Sequence, residues 1–153
     1  MTTYATFLRD ETVARCRGLY TWTSVATNPA GTAQPEELPY LGVYLLQEQM
    51  TADGDANAGP PSFLHSVTIG LSIVVRGDGG DPIEVDLDAL VDSIEGALLT
   101  DPTWVGLSEG IVSINRVRMF PSSAETYYGE VRMEMVLQFR SDWPPNVPDD
   151  YRR

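Results

Sequence analysis

Cys16 and His65 are the single cysteine and the single histidine of the chain. Brought together, they would form a thiolate–imidazole pair able to attack an electrophilic carbon. No spacing ties one to the other, and no nucleophile motif surrounds any serine. His65 falls on the apolar side of an alternating run, which predicts a structural or interface role. A lone cysteine also excludes an internal disulfide framework and any multi-cysteine zinc site.

Three acidic or glycine-rich stretches invite a chemical reading, and each is answered by its own residues. Asp53-Gly54-Asp55-Ala56-Asn57 starts like a calcium loop, yet Ala58 replaces the hinge glycine and Leu64 stands where the bidentate glutamate belongs. It reads as a flexible tip. Gly77-Asp78-Gly79-Gly80 lies between a strand and a helix, as phosphate cradles do. It lacks a lysine and the spacing of either known fingerprint, and Asp78 and Asp81 would repel phosphate. It reads as a turn. Asp86, Asp88 and Asp92 imitate a carboxylate metal site, but without a histidine they read as a solvated helix face near an N-terminus, where negative charge is favourable. We therefore expect no catalytic residue, no metal and no cofactor.

The elements that would position these residues are legible from periodicity. Residues 87–99 place Leu87, Leu90, Val91, Ile94 and Leu98 on one face of a helix, with Asp88, Asp92 and Glu95 opposite and Asp86 as the expected N-cap. Residues 2–19 predict a second helix ended by Gly18. Residues 63–75 alternate without interruption: Phe63, His65, Val67, Ile69, Leu71, Ile73 and Val75 on one side, more polar residues on the other. Residues 40–49, 111–120 and 127–140 are further strands, and the last two form an antiparallel hairpin. Residues 20–25 allow a short strand, and residues 50–62 a long polar loop. Asp101-Pro102-Thr103-Trp104 predicts a tight turn that buries Trp104. The expected fold is α+β: a mainly antiparallel sheet of about four strands with two helices packed on one face. Residues 1–142 would form this single domain and residues 143–153 an extended tail.

At 153 residues the chain can bury a real core. No apolar run approaches the roughly 20 residues that span a bilayer. The N-terminus lacks a basic patch followed by an apolar core, so a non-exported protein without a membrane partner is expected. The formal net charge is −12, there is no lysine, and no basic residue occurs from Gly77 to Asn115. Such a chain should not grip nucleic acid, because phosphate contacts need clustered positive charge.

Apolar material exceeds what one buried sheet face needs. Tyr40, Tyr44, Phe120, Tyr127 and Tyr128, with Leu46, Val74, Val112, Ile114 and Val136, fall on second faces or edges. Association with other chains is the economical reading. The runs Leu38-Pro39-Tyr40-Leu41-Gly42-Val43-Tyr44, the strand 63–75, the stretch from Leu87 through Thr100-Asp101-Pro102 and the closing hairpin resemble the tail-terminator proteins of long-tailed bacteriophages, the family of minor tail protein U. The resemblance covers roughly residues 4–139. It implies a non-enzymatic virion protein, made in the host cytoplasm, whose hexameric ring caps the tail tube, stops its growth and joins the head. Its partners would be its own copies, the tail tube protein and a neck or head-closure protein, with DNA passing unbound. In that setting Asp53, Gly54, Asp55 and Asn57 would belong to a docking loop. Asp88 and Asp92, with Asp53 and Asp55, would offer an acidic lumen. A neck protein, a cellular oligomeric α+β domain and a small enzyme are the other readings.

Overall fold

The computed structural model describes residues 3–31, 33–54, 61–77, 83–120 and 128–142. Its strands are β1 (Ser24–Thr27), β2 (Tyr40–Ala52), β3 (Ser62–Arg76), β4 (Gly110–Met119) and β5 (Tyr128–Asp142); its helices are α1 (Tyr4–Arg17), α2 (Ile83–Leu99) and α3 (Pro102–Val105). The alternating run becomes β3, which lies at the centre of one sheet in the order β1-β2-β3-β5-β4. Its odd-numbered side chains from His65 to Val75 are buried under the helices. Antiparallel pairing with β5 runs the full length of both strands, from Ser62↔Asp142 to Arg76↔Tyr128.

The α+β class stands, with two corrections to the sheet. It has five strands, and it is mixed, because β1 pairs in parallel with β2. The short strand begins at Ser24 instead of Tyr20. Tyr20 and Trp22 are occupied with each other, edge to face at 5.1 Å, and the Trp22 indole donates to the Cys16 carbonyl at 3.0 Å. Those aromatic residues close the end of α1 and leave pairing to the β-branched residues that follow.

The helices also differ in detail. α2 starts at Ile83, so Asp86 lies in the first turn and is not the cap. The reason is Ile83 itself, fully buried, which extends the apolar stripe of Leu87, Val91, Ile94 and Leu98 by one turn. The tight turn at Asp101 is the cap of α3: its carboxylate accepts from the backbone amides of Thr103 and Trp104. A hydrogen bond from Arg15 at 2.8 Å, followed by that of the Trp104 amide, holds this carboxyl below the ordinary range. The stabilisation is present at neutral pH and lost as pH falls through the lowered value. The loop predicted over 50–62 is shorter, since β2 runs to Ala52 and the Asp53 amide donates to the Ser62 carbonyl at 2.9 Å.

One core joins α1, α2 and α3 to the helix side of the sheet. Trp104 is its keystone from α3. The indole donates to Thr12 Oγ1 at 3.0 Å, and Thr12 in turn donates to the Leu8 carbonyl at 2.8 Å. The Tyr4 hydroxyl reaches the Leu107 carbonyl from the other end of α1. Truncating Trp104 to Ala removes a fully buried indole and the donor to Thr12 Oγ1. Urea denaturation should show a loss of about 3–5 kcal/mol, and an unchanged midpoint would contradict this packing.

Candidate functional site

The two residues best suited to nucleophilic chemistry are committed to the core separately. His65 is fully buried. Its Nδ1 meets Glu48 Oε1 at 2.7 Å, its Nε2 meets Ser141 Oγ at 2.7 Å, and its ring stacks on Phe139 at 4.5 Å. Both ring nitrogens are therefore engaged without Cys16. The Cys16 thiol is buried too, and that burial pushes its pKa up to about 12, the opposite of an activated thiolate.

The predicted acidic sites are likewise partnered within the subunit. Asp88 pairs with Arg118 at 2.7 Å, Asp92 with Arg116 at 2.8 Å, and Arg116 also grips Glu95. A bulge in β4 between Ile111 and Ser113 makes this possible, because it turns Ile114, Arg116 and Arg118 toward α2. Asp53 pairs with Arg140 at 2.8 Å, beside Glu109, and Gly54 takes the φ of +101° that only glycine adopts freely. Asp55, Asn57 and Tyr127 lie outside the described residues, as do residues 78–82 and 143–153. Among the described residues no group of three or more His, Cys, Asp or Glu side chains could hold a metal ion.

The built feature lies on the other face of the sheet, away from the helices. There β2 presents Tyr40, Gly42, Tyr44 and Leu46, β3 presents Gly70, Ser72 and Val74, and β5 presents Tyr128, Glu130, Arg132 and Glu134. Two glycines make room for the larger side chains. A Cβ on Gly42 would meet the Tyr40 hydroxyl at 2.9 Å and the Tyr44 ring at 3.2 Å; a Cβ on Gly70 would meet Leu46 Cδ1 at 2.7 Å. The rings therefore lie along β2 over Gly42, and the leucine lies across β3 over Gly70.

Residues 28–31 and 33–39 cross one end of this face and are tied to it. Asn28, at φ +45°, donates from its amide to the Val43 carbonyl, and its Oδ1 accepts from the Leu45 amide at 2.9 Å. Arg76 donates to the Pro35 carbonyl at 2.9 Å. The result is an open pocket of about 460 Å³ lined by Gly31, Ala33, the three tyrosines, Leu46, Val74 and the β5 charges. Tyr40 is 4% exposed, and its hydroxyl has no hydrogen-bond partner among the described residues. Burial, then the neighbouring Tyr44, pushes that phenol above its ordinary range. Glu130 is held in place by Ser72 at 2.7 Å and Arg132 at 3.0 Å.

Of the residues predicted for an interface, Tyr40, Tyr44 and Tyr128 converge on this pocket. Phe120 does not join them. It lies against Gly129 on the helix side, in the same space as Leu87, and is 38% exposed. Ile114 also turns inward to the core. The sequence reading passed over Gly42, Gly70, Glu130, Arg132 and Glu134 as site residues. A signal was present: a glycine two residues from an aromatic on each side, as in Tyr40-Leu41-Gly42-Val43-Tyr44, leaves a hollow on a strand face that rings can cover.

No protein-family model matches the chain, and no curated protein matches it. Among solved structures, one of no stated function is 17% identical to this chain. That match covers 90% of this chain and 92% of the other, with a TM-score of 0.40. A second is a chain from the virion of a native gene transfer agent particle, also 17% identical. It covers 91% of this chain and 92% of that one at a TM-score of 0.37. Likenesses this shallow assign neither a family nor a role.

The state of Cys16 is directly testable. Native protein should resist alkylation by iodoacetamide at pH 8 and react once denatured. Because the folded thiol holds its proton up to about 12 while the unfolded one releases it near the ordinary value of 9.0, stability should fall as pH rises between those values. Rapid alkylation of the folded chain would refute the buried thiol.

Proposed function

We propose that the chain is a structural virion subunit, a ring-forming tail terminator that caps the tail tube, stops its elongation and provides the surface for head joining. The carrying observation is how the runs that resemble tail terminators fold together. The start of β2, the whole of β3, α2 and the β4–β5 hairpin build one unit. Among the described residues, its edge strand β4 has no partner on its outer side. Val112 and Val117 on that strand are 55% and 49% exposed, and Phe120 follows at its end. An open edge flanked by apolar side chains is a ready surface for a second chain.

The chemistry of the described residues agrees with a non-enzymatic role, since the lone histidine and the lone cysteine both serve the core. The ring is hexameric in this reading, and its partners are the tail tube protein and the neck protein. An acidic channel suits DNA passage, because a negative lining does not hold a sliding polyanion. Asp88 and Asp92 remain part of that lining but carry charge offset by Arg118 and Arg116. Glu84 and Asp86, exposed in the first turn of α2, supply the rest.

Solution mass and negative-stain imaging, with and without tail tube protein, test this reading. The expected result is a six-fold ring, or a monomer that becomes a ring on tube ends. A monomer that ignores tube protein at high concentration overturns it, and selective capture of the portal–adaptor complex would assign the chain to the neck instead. Val112→Asp combined with Val117→Asp should abolish rings while leaving the thermal midpoint of the monomer within a few degrees. Deleting residues 53–59 should leave rings intact and block completion of infectious tails; infectious particles from that variant would remove the docking role of the loop.

A further inference from the structure

The pocket on the open face of the sheet has a composition that the capping role does not require. Three tyrosines with Leu46 and Val74 form its apolar wall, and Glu130 and Glu134 line it beside Arg132. Aromatic-lined grooves of this kind take proline-rich segments, whose flat rings lie on aromatic faces. Such a segment keeps its backbone carbonyls free of internal hydrogen bonds. The Tyr40 hydroxyl, buried and without a partner among the described residues, is a donor suited to such a carbonyl.

The chain carries one segment of that chemistry. After β5 the sequence reads Trp143-Pro144-Pro145-Asn146-Val147-Pro148-Asp149-Asp150-Tyr151-Arg152-Arg153. It joins closely spaced prolines to a pair of arginines, opposite in charge to Glu130 and Glu134.

Distance decides whose pocket it can enter. Asp142 pairs with Ser62, at the end of the sheet remote from Glu130. Along β5, even the near pocket residue Glu134 lies eight residues from Asp142, about 26 Å at ~3.3 Å per residue. Pro148 is only six residues beyond Asp142 and reaches at most about 22 Å when fully extended. The prolines therefore cannot return to the pocket of their own subunit.

We propose that the pocket binds the segment 143–153 of a second copy of this chain, with the prolines on Tyr44 and Tyr128, over the buried Tyr40, and the arginines against Glu130 and Glu134. This rests on the reading of the chain as self-assembling and adds a contact distinct from the β4 edge. It makes the interface heterologous, head of one subunit to tail of the next, as ring closure requires.

The receptor for the test is the full-length chain with Pro144→Gly, Pro145→Gly and Pro148→Gly, which leaves every pocket free of a competing segment. The probe is a fluorescein-labelled peptide of residues 143–153, followed by anisotropy. Saturable binding is expected. Tyr44→Ala should weaken it at least tenfold, and Tyr40→Phe, which removes only the unpartnered hydroxyl, about fivefold. Glu134→Arg should weaken it further and flatten its salt dependence. Absence of saturable binding, or binding indifferent to all three substitutions, overturns the proposal. The assembly reading is scored separately: rings without peptide binding leave it standing and remove this contact, whereas peptide binding without rings keeps the pocket and removes the terminator.

Discussion

The register of β3 is the constraint on which the rest depends. Its side chains alternate between a buried face under α1 and α2 and an open face that forms part of the tyrosine pocket. A slip of one residue would exchange the two sets. Ser66, Thr68 and Ser72 would then lie beneath the helices, where an unpaired hydroxyl costs roughly 1–3 kcal/mol. Val67, Ile69, Leu71 and Ile73 would meet water. Because β3 pairs with β5 along its full length and with β2 on its other side, that parity is imposed on both neighbours. Core and pocket are thus two consequences of one alternation.

Two bulges depart from the alternation, and both have electrostatic consequences. In β2 the irregularity between Leu45 and Gln47 reverses the parity that follows, so Glu48 turns to the helix side and meets His65. A buried imidazole thereby has both nitrogens satisfied. In β4 the shift between Ile111 and Ser113 brings Arg116 and Arg118 beneath the acidic side of α2. Exposed pairs of this kind contribute about 0.2–1 kcal/mol each, so apolar burial of Ile83, Leu87, Val91, Ile94 and Leu98 dominates the docking of α2. The arginines chiefly fix how the helix is turned about its axis.

The charge of the chain reads differently once these pairs are known. A net charge of −12 remains, but the stretch from Gly77 to Asn115, without a basic residue of its own, borrows Arg116 and Arg118 from the next strand and Arg15 from α1. Local composition overstated how negative the α2 surface is. The free acidity lies more at the first turn of that helix and at Glu134 of β5, beside the pocket.

Periodicity alone identified β3, β5 and most of α2, because which face a side chain takes is encoded by its neighbours two, three or four positions away; the turn residues Asp101-Pro102 marked the burial of Trp104. Composition showed that aromatic residues exceeded the needs of one sheet face, and Tyr40, Tyr44 and Tyr128 do share a pocket. Other features had no local signal. Whether Glu48 points to water or to His65, and whether Phe120 joins the tyrosines or the helix side, depends on bulges and strand partners. The parallel placement of β1 depends on where residues 28–39 carry the chain. Those choices are made by pairing between residues far apart in sequence, and only the assembled sheet states them.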